Sequence, residues 1–260
     1  MRNLKLTLAY DGTEYVGWQR QAGGRSIQGA LESALAEIEG APVTVVGAGR
    51  TDAGVHALGQ VASVRLAHGI EPRVLARALN AKLPADIRVL GAAAVGAGFH
   101  ARYSARSKTY RYCVSNGGVA HPFAARYAWH VAAPLQLDAM RAAGDQLLGR
   151  HDFAAFQSTG SQVRSTVRTL SSLTIERRPA CGPEGTTGGT GAALLTVEVE
   201  GDGFLRHMVR AIVGTLVEVG RGRRAADDIT PVLESKRRDR AGPTAPAHGL
   251  FLVRVTCADA

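Results

Sequence analysis

One stretch of the sequence, residues 47–57, collects reactive side chains in a turn of small residues, Gly-Ala-Gly-Arg-Thr-Asp-Ala-Gly-Val-His-Ala. It places the carboxylate of Asp52, the guanidinium of Arg50 and the imidazole of His56 directly after the apolar run 43–46. Glycine and alanine leave room for another backbone or a flat ligand to approach. Two hypotheses follow: Asp52 is a reacting group, or its carboxylate caps the turn by accepting backbone N–H groups.

Aromatic side chains lie beside basic ones at several places in the chain. Aromatic rings stack on unpaired bases and arginine neutralises phosphates, so this interleaving is typical of a protein that binds RNA loops. Each cluster alone is also compatible with contacts on a strand face, because aromatics are common in strands. The clusters are Trp18/Arg20, His100/Arg102/Tyr103 and Lys108/Tyr110/Arg111.

The residue spacing does not indicate a metalloenzyme or a serine hydrolase. The histidines show no metal-ligand spacing, so we expect no metal site. No serine stands in a Gly-x-Ser-x-Gly elbow, and there is no glycine-rich loop of the nucleotide-binding type. Cys113, Cys181 and Cys257 are odd in number and far apart, which indicates neither a disulfide framework nor a zinc module.

The net charge of the chain indicates which kind of partner the protein could bind. The 260 residues include 31 Lys+Arg against 22 Asp+Glu, a net charge of +9, which favours a polyanion, although a solubilised basic surface has the same composition. Most of the basic residues are arginines, which bind phosphate in bidentate fashion. No apolar run approaches the ~20 residues of a membrane helix, and no signal-peptide block opens the chain. We therefore expect a cytoplasmic protein with no membrane partner.

Hydrophobic periodicity predicts the elements that position the reactive turn. The order strand, helix, strand, strand, helix, strand over about the first hundred residues is typical of a ferredoxin-like or related α+β pattern. The predicted elements are a strand over 4–10, a helix between Ser26 and Gly40, strands over 43–46 and 60–66, a helix from Pro72 to about Leu83, and a strand over 87–95.

The second half repeats the mixture of strands and helices. Its strongest helix signal covers 204–220, with Arg206 and Arg210 four residues apart on one face. Residues 179–191 are rich in Gly, Thr and Pro and are predicted to form a flexible loop. The junction falls within 99–108, giving predicted domains 1–105 and 106–260. The other predicted elements are strands over 109–115, 167–177, 192–201 and 250–256 and helices over 135–148 and 226–235.

Taken together, the motifs resemble the tRNA pseudouridine synthase A family, in blocks that follow one another from the first strand to the last. The most specific block is Arg-Thr-Asp-Ala-Gly-Val-His at 50–56. Two departures are visible: the polar loop 157–164 lacks the cysteine that several relatives carry, and 179–191 looks elongated. The other blocks are Tyr10-Asp11-Gly12-Thr13, Gly17-Trp18-Gln19, and residues 108–112, 151–153, 203–210, 241–246 and 249–250.

The resemblance implies an architecture and a reaction. The fold would be α+β, with two α+β domains whose antiparallel sheets join into one bent sheet, helices on one side and an active cleft on the other. The implied activity is conversion of uridines at tRNA positions 38, 39 and 40, in the anticodon stem-loop, to pseudouridine without a cofactor. The family also acts as a homodimer in which one tRNA touches both subunits.

The resemblance also assigns roles to residues. Asp52 matches the catalytic acid, and Arg50 matches the residue that assists base flipping. Tyr110 matches the aromatic that stacks on the uracil, Arg206 a basic residue beside the acid, and Leu250 an apolar wall for the base. Further RNA contacts are expected in and just after the junction, at Phe99, His100, Arg102, Tyr103 and Lys108.

Two alternatives stay open at this point. One is a tRNA-binding or tRNA-folding protein in which catalysis is secondary. The other is a pseudouridine synthase that acts at a different RNA position. The sequence does not decide between attack at the sugar carbon C1′ and an elimination route.

Overall fold

The computed structural model describes residues 1–158, 160, 163–178 and 193–258. The chain divides into two compact units. Unit 1 comprises Met1–Lys108 and Phe251–Ala260, and unit 2 comprises Thr109–Leu250. The predicted loop at 179–191 lies outside the described residues. The boundary expected after residue 105 stays a prediction, and the last strand, expected in the C-terminal domain, is grouped with unit 1.

Within the described residues, strands and helices alternate along the chain. The strands are β1 Arg2–Tyr10, β2 Val45–Gly47, β3 His56–Leu66, β4 Ile87–Val95, β5 Ala105–Asn116, β6 Trp129–Val131, β7 Gly149–Asp152, β8 Val167–Arg178, β9 Ala193–Gly201 and β10 Leu250–Cys257. The α-helices are α1 Ile27–Glu39, α2 Pro72–Lys82, α3 Pro122–Ala125, α4 Leu137–Asp145, α5 Met208–Gly220 and α6 Ile229–Ser235.

Unit 1 is built around the first strand. β1 pairs in antiparallel fashion with β3 and β4, β2 pairs with β3, and β10 pairs with β3 in parallel. Leu4, Leu6 and Leu8 are fully buried while the residues between them are half-buried, which is the alternation that predicted this strand. The parallel pairing of Phe251 with His56 explains why the last strand belongs to unit 1.

Helix α1 confirms the predicted capping signals. The Ser26 hydroxyl accepts a hydrogen bond from the Gly29 N–H at 3.1 Å, and the helix ends at Gly40, whose φ is 75°. A left-handed residue at this position favours glycine because it has no Cβ. The helix therefore returns the chain to β2, directly before the turn that carries Asp52.

In unit 2, β8 pairs in antiparallel fashion with β7 and β9, as the predicted hairpin requires, and β5 pairs with β6 in parallel. The long helix α5 begins at Met208, so the prediction that it starts at residue 204 is wrong. His207 has a φ of 61°, a left-handed conformation that an α-helix cannot include, and Arg206 therefore precedes the helix.

The predicted class, α+β with mostly antiparallel strands, is confirmed. The finer expectation of a bent sheet with helices on one side and a cleft on the other stays a prediction. Among the residues that the structure describes, no helix is long and apolar enough to cross a membrane.

Candidate active site

The Asp52 turn is supported from below by buried polar groups. The Gln60 amide Nε2 donates to the Gly49 carbonyl at 2.8 Å and to the Tyr10 hydroxyl at 3.3 Å. The Tyr10 hydroxyl in turn lies 2.9 Å from Thr51 Oγ1. Burial raises the pKa of Tyr10 to about 12, against the opposing effect of these hydrogen bonds, so its hydroxyl keeps its proton at neutral pH.

His56 anchors the other end of the turn, where β3 begins. The residue is 1% exposed, and its ring stacks on Phe251 with 4.7 Å between ring centroids. The Gly12 N–H donates to His56 Nδ1 at 3.1 Å, and a carboxylate oxygen of Asp11 lies 3.1 Å from the same nitrogen. The same oxygen accepts from the Thr13 N–H at 3.0 Å, which fixes the chain as it leaves β1.

Two glycines allow close approach of the backbone and an aromatic ring. A Cβ on Gly17, whose φ is 106°, would lie 2.5 Å from the Thr51 carbonyl oxygen. A Cβ on Gly47 would lie 2.5 Å from the Trp18 indole, and the main-chain N–H of Trp18 donates to the Thr51 carbonyl at 3.0 Å. The Gly17-Trp18 block and the turn therefore fit together through backbone contacts that larger residues would prevent.

Asp52 itself lies in a tight turn closed by the main chain. The Val55 N–H donates to the Asp52 carbonyl at 3.1 Å, and Gly54 has a φ of 75°. The Asp52 side chain is partly exposed and that of Arg50 is exposed. The backbone geometry thus presents a short acidic side chain and a long basic one at the surface of unit 1.

Lys108 lies beside this turn. A Cβ on Gly49 would be 3.4 Å from both Cε and Nζ of Lys108, so the ammonium group is in the immediate neighbourhood of Gly49. The sequence places these residues almost sixty positions apart and predicted Lys108 only as an RNA contact. The structure adds a cation next to the residues that hold Asp52 in place.

The other predicted RNA contacts in unit 1 differ in exposure. Tyr103 is 78% exposed, stacks on His100 at 4.3 Å and has the Arg102 guanidinium 5.8 Å from its ring centroid. Phe99 is only 7% exposed and lines a groove of about 490 Å³ together with Lys5 and other residues. His100, Arg102 and Tyr103 together have the combination of stacking ring and cation that suits an unpaired nucleotide.

The predicted site residues of unit 2 fall into a buried and an exposed class. Tyr110 is 6% exposed and meets Phe204 edge-on, with centroids 5.0 Å apart, and Leu250 is 5% exposed. Arg206 is exposed, and its carbonyl accepts a hydrogen bond from the Ser158 N–H at 3.2 Å. The structure therefore combines Tyr110 with Phe204, a partner that the sequence motif contained but that was not singled out.

Sequence reasoning did not assign roles to the groups beneath the turn. Tyr10 and His56 belong to the motif blocks that resemble the family, and this membership was the only sequence feature that could have indicated a role for them. For Gln60 the only signal was that a polar residue occupies a strand position at which the alternation predicts a side chain facing the core. Among the described residues, no group of three or more His, Cys, Asp or Glu side chains could hold a metal ion.

Comparison with known proteins identifies the family. The family model described as tRNA pseudouridine synthase matches residues 7–104 and 143–256. The chain is 48% identical over 255 residues to tRNA pseudouridine synthase A of Myxococcus xanthus, covering 98% of this chain and 92% of that protein. It is 43% identical to the Acetivibrio thermocellus protein of the same name, covering 98% of this chain and 99% of that protein. The turn at Asp52 and its supporting residues are thus part of a chain that belongs to the tRNA pseudouridine synthase family.

Proposed function

We propose that this protein isomerises uridine to pseudouridine at tRNA positions 38, 39 and 40 in the anticodon stem-loop, with Asp52 as the catalytic carboxylate. The observation that carries the proposal is the Arg-Thr-Asp turn itself. Its backbone is fixed by buried hydrogen bonds, and it carries the partly exposed Asp52 two residues after the exposed Arg50. Family membership supports the reaction class.

The reaction is an internal transfer that needs no net oxidation or reduction. The bond between N1 of uracil and C1′ of the ribose breaks, the base turns over, and a bond from C5 to C1′ forms. The proton on C5 is then lost and N1 ends the reaction protonated, so atoms and charge balance. The Asp52 carboxylate either attacks C1′ to form a covalent intermediate or acts as a base at the sugar.

The remaining residues would bind and position the nucleotide. A stacked uridine cannot reach a carboxylate in a turn, so the target nucleotide has to leave the helical stack. Arg50, which is exposed at the turn, is assigned to this step. Tyr110 is assigned to stacking on the uracil and Leu250 to the apolar wall around the base. Arg206 is assigned as the cation that keeps the Asp52 carboxylate ionised.

The binding of the tRNA itself is assigned to the basic and aromatic residues of unit 1. His100, Arg102, Tyr103 and Lys108 combine cations with rings, and the net charge of +9 supports a polyanionic substrate. Phe99 contributes from a more buried position. We extend the proposal to an enzyme of the cytoplasm, as expected from the sequence pattern, that acts as a homodimer, as the resemblance of its motifs implies.

Tritium release provides the direct test. An anticodon-arm RNA labelled with tritium at uridine C5 is incubated with the native protein, with Asp52→Asn and with a control, Asp145→Asn, whose side chain is exposed in unit 2. We expect release by the native protein and by the control, and none by Asp52→Asn. Absence of release by the native protein would contradict the reaction, and equal release by Asp52→Asn would contradict the role of that residue.

Site specificity requires a separate experiment. Pseudouridines are mapped by chemical adduct formation and primer extension in tRNA from cells that lack the protein, with and without a plasmid copy. Loss of the signals at positions 38 to 40, restored by the native gene and not by Asp52→Asn, is the expected result. Loss at another position would instead indicate a synthase of different specificity, and full rescue by Asp52→Asn would indicate a tRNA-binding role.

A further inference from the structure

Gln60 is a fully buried carboxamide that connects the residues on both sides of Arg50. Its exposed fraction is 0%, and those of Tyr10 and Thr51 are 4% and 6%. It donates directly to the Gly49 carbonyl, and it reaches Thr51 through the Tyr10 hydroxyl. Thr51 is the residue before Asp52, so these contacts fix the backbone that carries the carboxylate.

The direction of the two Gln60 hydrogen bonds follows from the chemistry of the groups. A main-chain carbonyl can only accept, so the Gln60 NH₂ group, and not its oxygen, must face Gly49. The same NH₂ group lies 3.3 Å from the Tyr10 oxygen, which therefore accepts there. Between the Tyr10 hydroxyl and Thr51 Oγ1 either group can donate, so a chain of hydrogen bonds connects Gln60 through Tyr10 to Thr51.

The position of Gln60 is otherwise apolar. It pairs across the strands with Leu8, on the face that buries Leu4 and Leu6. No protein donor among the described residues reaches Gln60 Oε1, which is itself buried. An aliphatic residue would fill this position without burying an unsatisfied oxygen, so what the amide adds is its pair of donors toward the turn.

We propose that Gln60 is a positioning residue for Asp52, acting through Gly49 and through Tyr10 and Thr51. The proposal rests on the proposed function, because it assigns Gln60 to the reaction that Asp52 carries out. Aspartate has a short side chain, so the placement of its carboxylate depends on the placement of its backbone. A displacement of about 1 Å at a reacting group costs on the order of 100-fold in rate, and the Gln60 contacts limit such displacement.

The first test compares two buried glutamines of unit 1. Gln60→Leu removes the donors beneath the turn. Gln28→Leu is the matched control, because Gln28 is 9% exposed and its amide donates to the Val45 carbonyl and to Glu32 instead. We expect Gln60→Leu to lower kcat by about 10- to 100-fold with KM for anticodon-arm RNA little changed. Gln28→Leu should leave kcat within about twofold of the native value.

Two further variants keep the test decisive if Gln60→Leu does not fold. Tyr10→Phe removes only the Tyr10 hydroxyl, and Thr51→Val removes the Thr51 hydroxyl, whereas Thr51→Ser keeps it. We expect Tyr10→Phe and Thr51→Val to lower kcat and Thr51→Ser to retain it. The double variant Gln60→Leu/Tyr10→Phe should lose no more kcat than Gln60→Leu alone, because both changes interrupt one chain of hydrogen bonds.

The outcomes separate this proposal from the proposed function. An inactive native protein, or a fully active Asp52→Asn, contradicts the function whatever Gln60 does. The positioning role is tested only if the native protein is active and Asp52→Asn is not. In that case a kcat for Gln60→Leu within about twofold of the native value overturns the positioning role alone. If Gln60→Leu does not fold, the same result for Tyr10→Phe overturns it. Independent, multiplicative losses in the double variant overturn it as well. Faster amide hydrogen exchange over residues 49–55 in Gln60→Leu, but not in Gln28→Leu, is the structural result that the proposal requires.

Discussion

Each unit has an aspartate beside a connecting loop: Asp52 lies in the turn before β3, and Asp152 is the last residue of β7. At Asp152 the carboxylate is the acceptor: the Thr166 hydroxyl donates to it at 2.5 Å and the Ala154 N–H at 3.1 Å, and Lys236 Nζ lies 3.0 Å away. Around Asp52, hydrogen bonds to the Asp52 and Thr51 carbonyls and to the buried Thr51 hydroxyl hold the main chain of the turn.

An aspartate near a loop can have a structural role or a catalytic role. A carboxylate that accepts several hydrogen bonds stabilises its loop, and those bonds lower its basicity. A turn whose backbone is fixed by other groups can present its side chain for a reaction. The contacts of Asp152 fit a carboxylate that caps its loop. The proposal that Asp52 reacts rests on the fixed backbone of its turn and on family membership.

The largest effect is expected from Gly17→Ala, which tests whether the backbone support of the Asp52 turn matters. The new Cβ would lie 2.5 Å from the Thr51 carbonyl oxygen at a φ of 106°. We expect a loss of stability of about 1–3 kcal/mol from strain and a fall in kcat of about 100-fold, measured by urea unfolding and tritium release.

Gly23→Ala is the matched control in the same loop. Gly23 also has a positive φ, 86°, but a Cβ there would meet nothing within 4 Å. Its strain should therefore lower stability without lowering kcat. Equal kcat values for Gly17→Ala and Gly23→Ala would show that close packing against Thr51 is unnecessary for activity.

A smaller effect, confined to activity, is expected at Arg206. Its side chain is exposed, whereas Arg210 Nε donates to the Ala245 carbonyl at 2.7 Å. Arg206→Ala should lower kcat/KM by roughly 10- to 100-fold and change stability by less than about 0.5 kcal/mol.

Arg210→Ala provides the contrast, with a loss of about 1.5 kcal/mol as a charged donor is removed. Both variants are compared by thermal unfolding and by tritium release from the same RNA. A stability loss for Arg206→Ala as large as that for Arg210→Ala would contradict its assignment to the substrate.

The sequence allowed some of these elements to be predicted and left others out of reach. The alternation in β1 and the caps of α1 depend on neighbouring residues, so local pattern reasoning found them. The start of α5 was missed because the apolar periodicity continues from Leu205 into the helix, and only the left-handed conformation of His207 ends it.

The strand after the Asp52 turn shows the same limitation. β3 begins at His56, four residues before the start predicted at residue 60. At Gly59 a Cβ would lie 2.5 Å from the Val253 carbonyl oxygen, so the adjacent strand β10 explains the small residue. The contacts of Gln60 and the approach of Lys108 to Gly49 also depend on residues distant in sequence, which periodicity does not report.

A third prediction separates residues that bind RNA from residues that position the reaction. Arg102→Ala removes a cation next to the exposed ring of Tyr103. We expect tRNA binding to weaken by about 1 kcal/mol and kcat to stay unchanged. The slope of log binding constant against log salt concentration should fall by the amount that corresponds to about one phosphate contact. Arg73→Ala, on the exposed side of α2, is the control. Filter binding at several salt concentrations measures both, and an unchanged salt dependence in Arg102→Ala would argue against a phosphate contact.

The smallest effect returns to Asp152 and its dependence on pH. The hydrogen bond from Thr166 is the main reason that the pKa of Asp152 lies below the ordinary value of 3.8, with Lys236 adding to it. A carboxyl group whose pKa is lowered by folding contributes stability above its unfolded pKa and loses that contribution as the pH falls through the folded pKa. Asp152→Asn should therefore be less stable than the native protein at pH 7, by no more than about 1 kcal/mol because the group is partly exposed.

The difference in the free energy of unfolding between the native protein and Asp152→Asn, measured by urea unfolding, should shrink below about pH 4. In this range the carboxyl group of the unfolded chain is increasingly protonated. The value of kcat at pH 7 should not change, because the Asp152 carboxylate is assigned to holding its loop and not to the reaction. Asp145→Asn, at an exposed position, is the matched control for the loss of one negative charge. A kcat for Asp152→Asn as low as that of Asp52→Asn would remove the distinction between the two aspartates, since a carboxylate that caps a loop would then be as necessary for the reaction as the one presented by the turn.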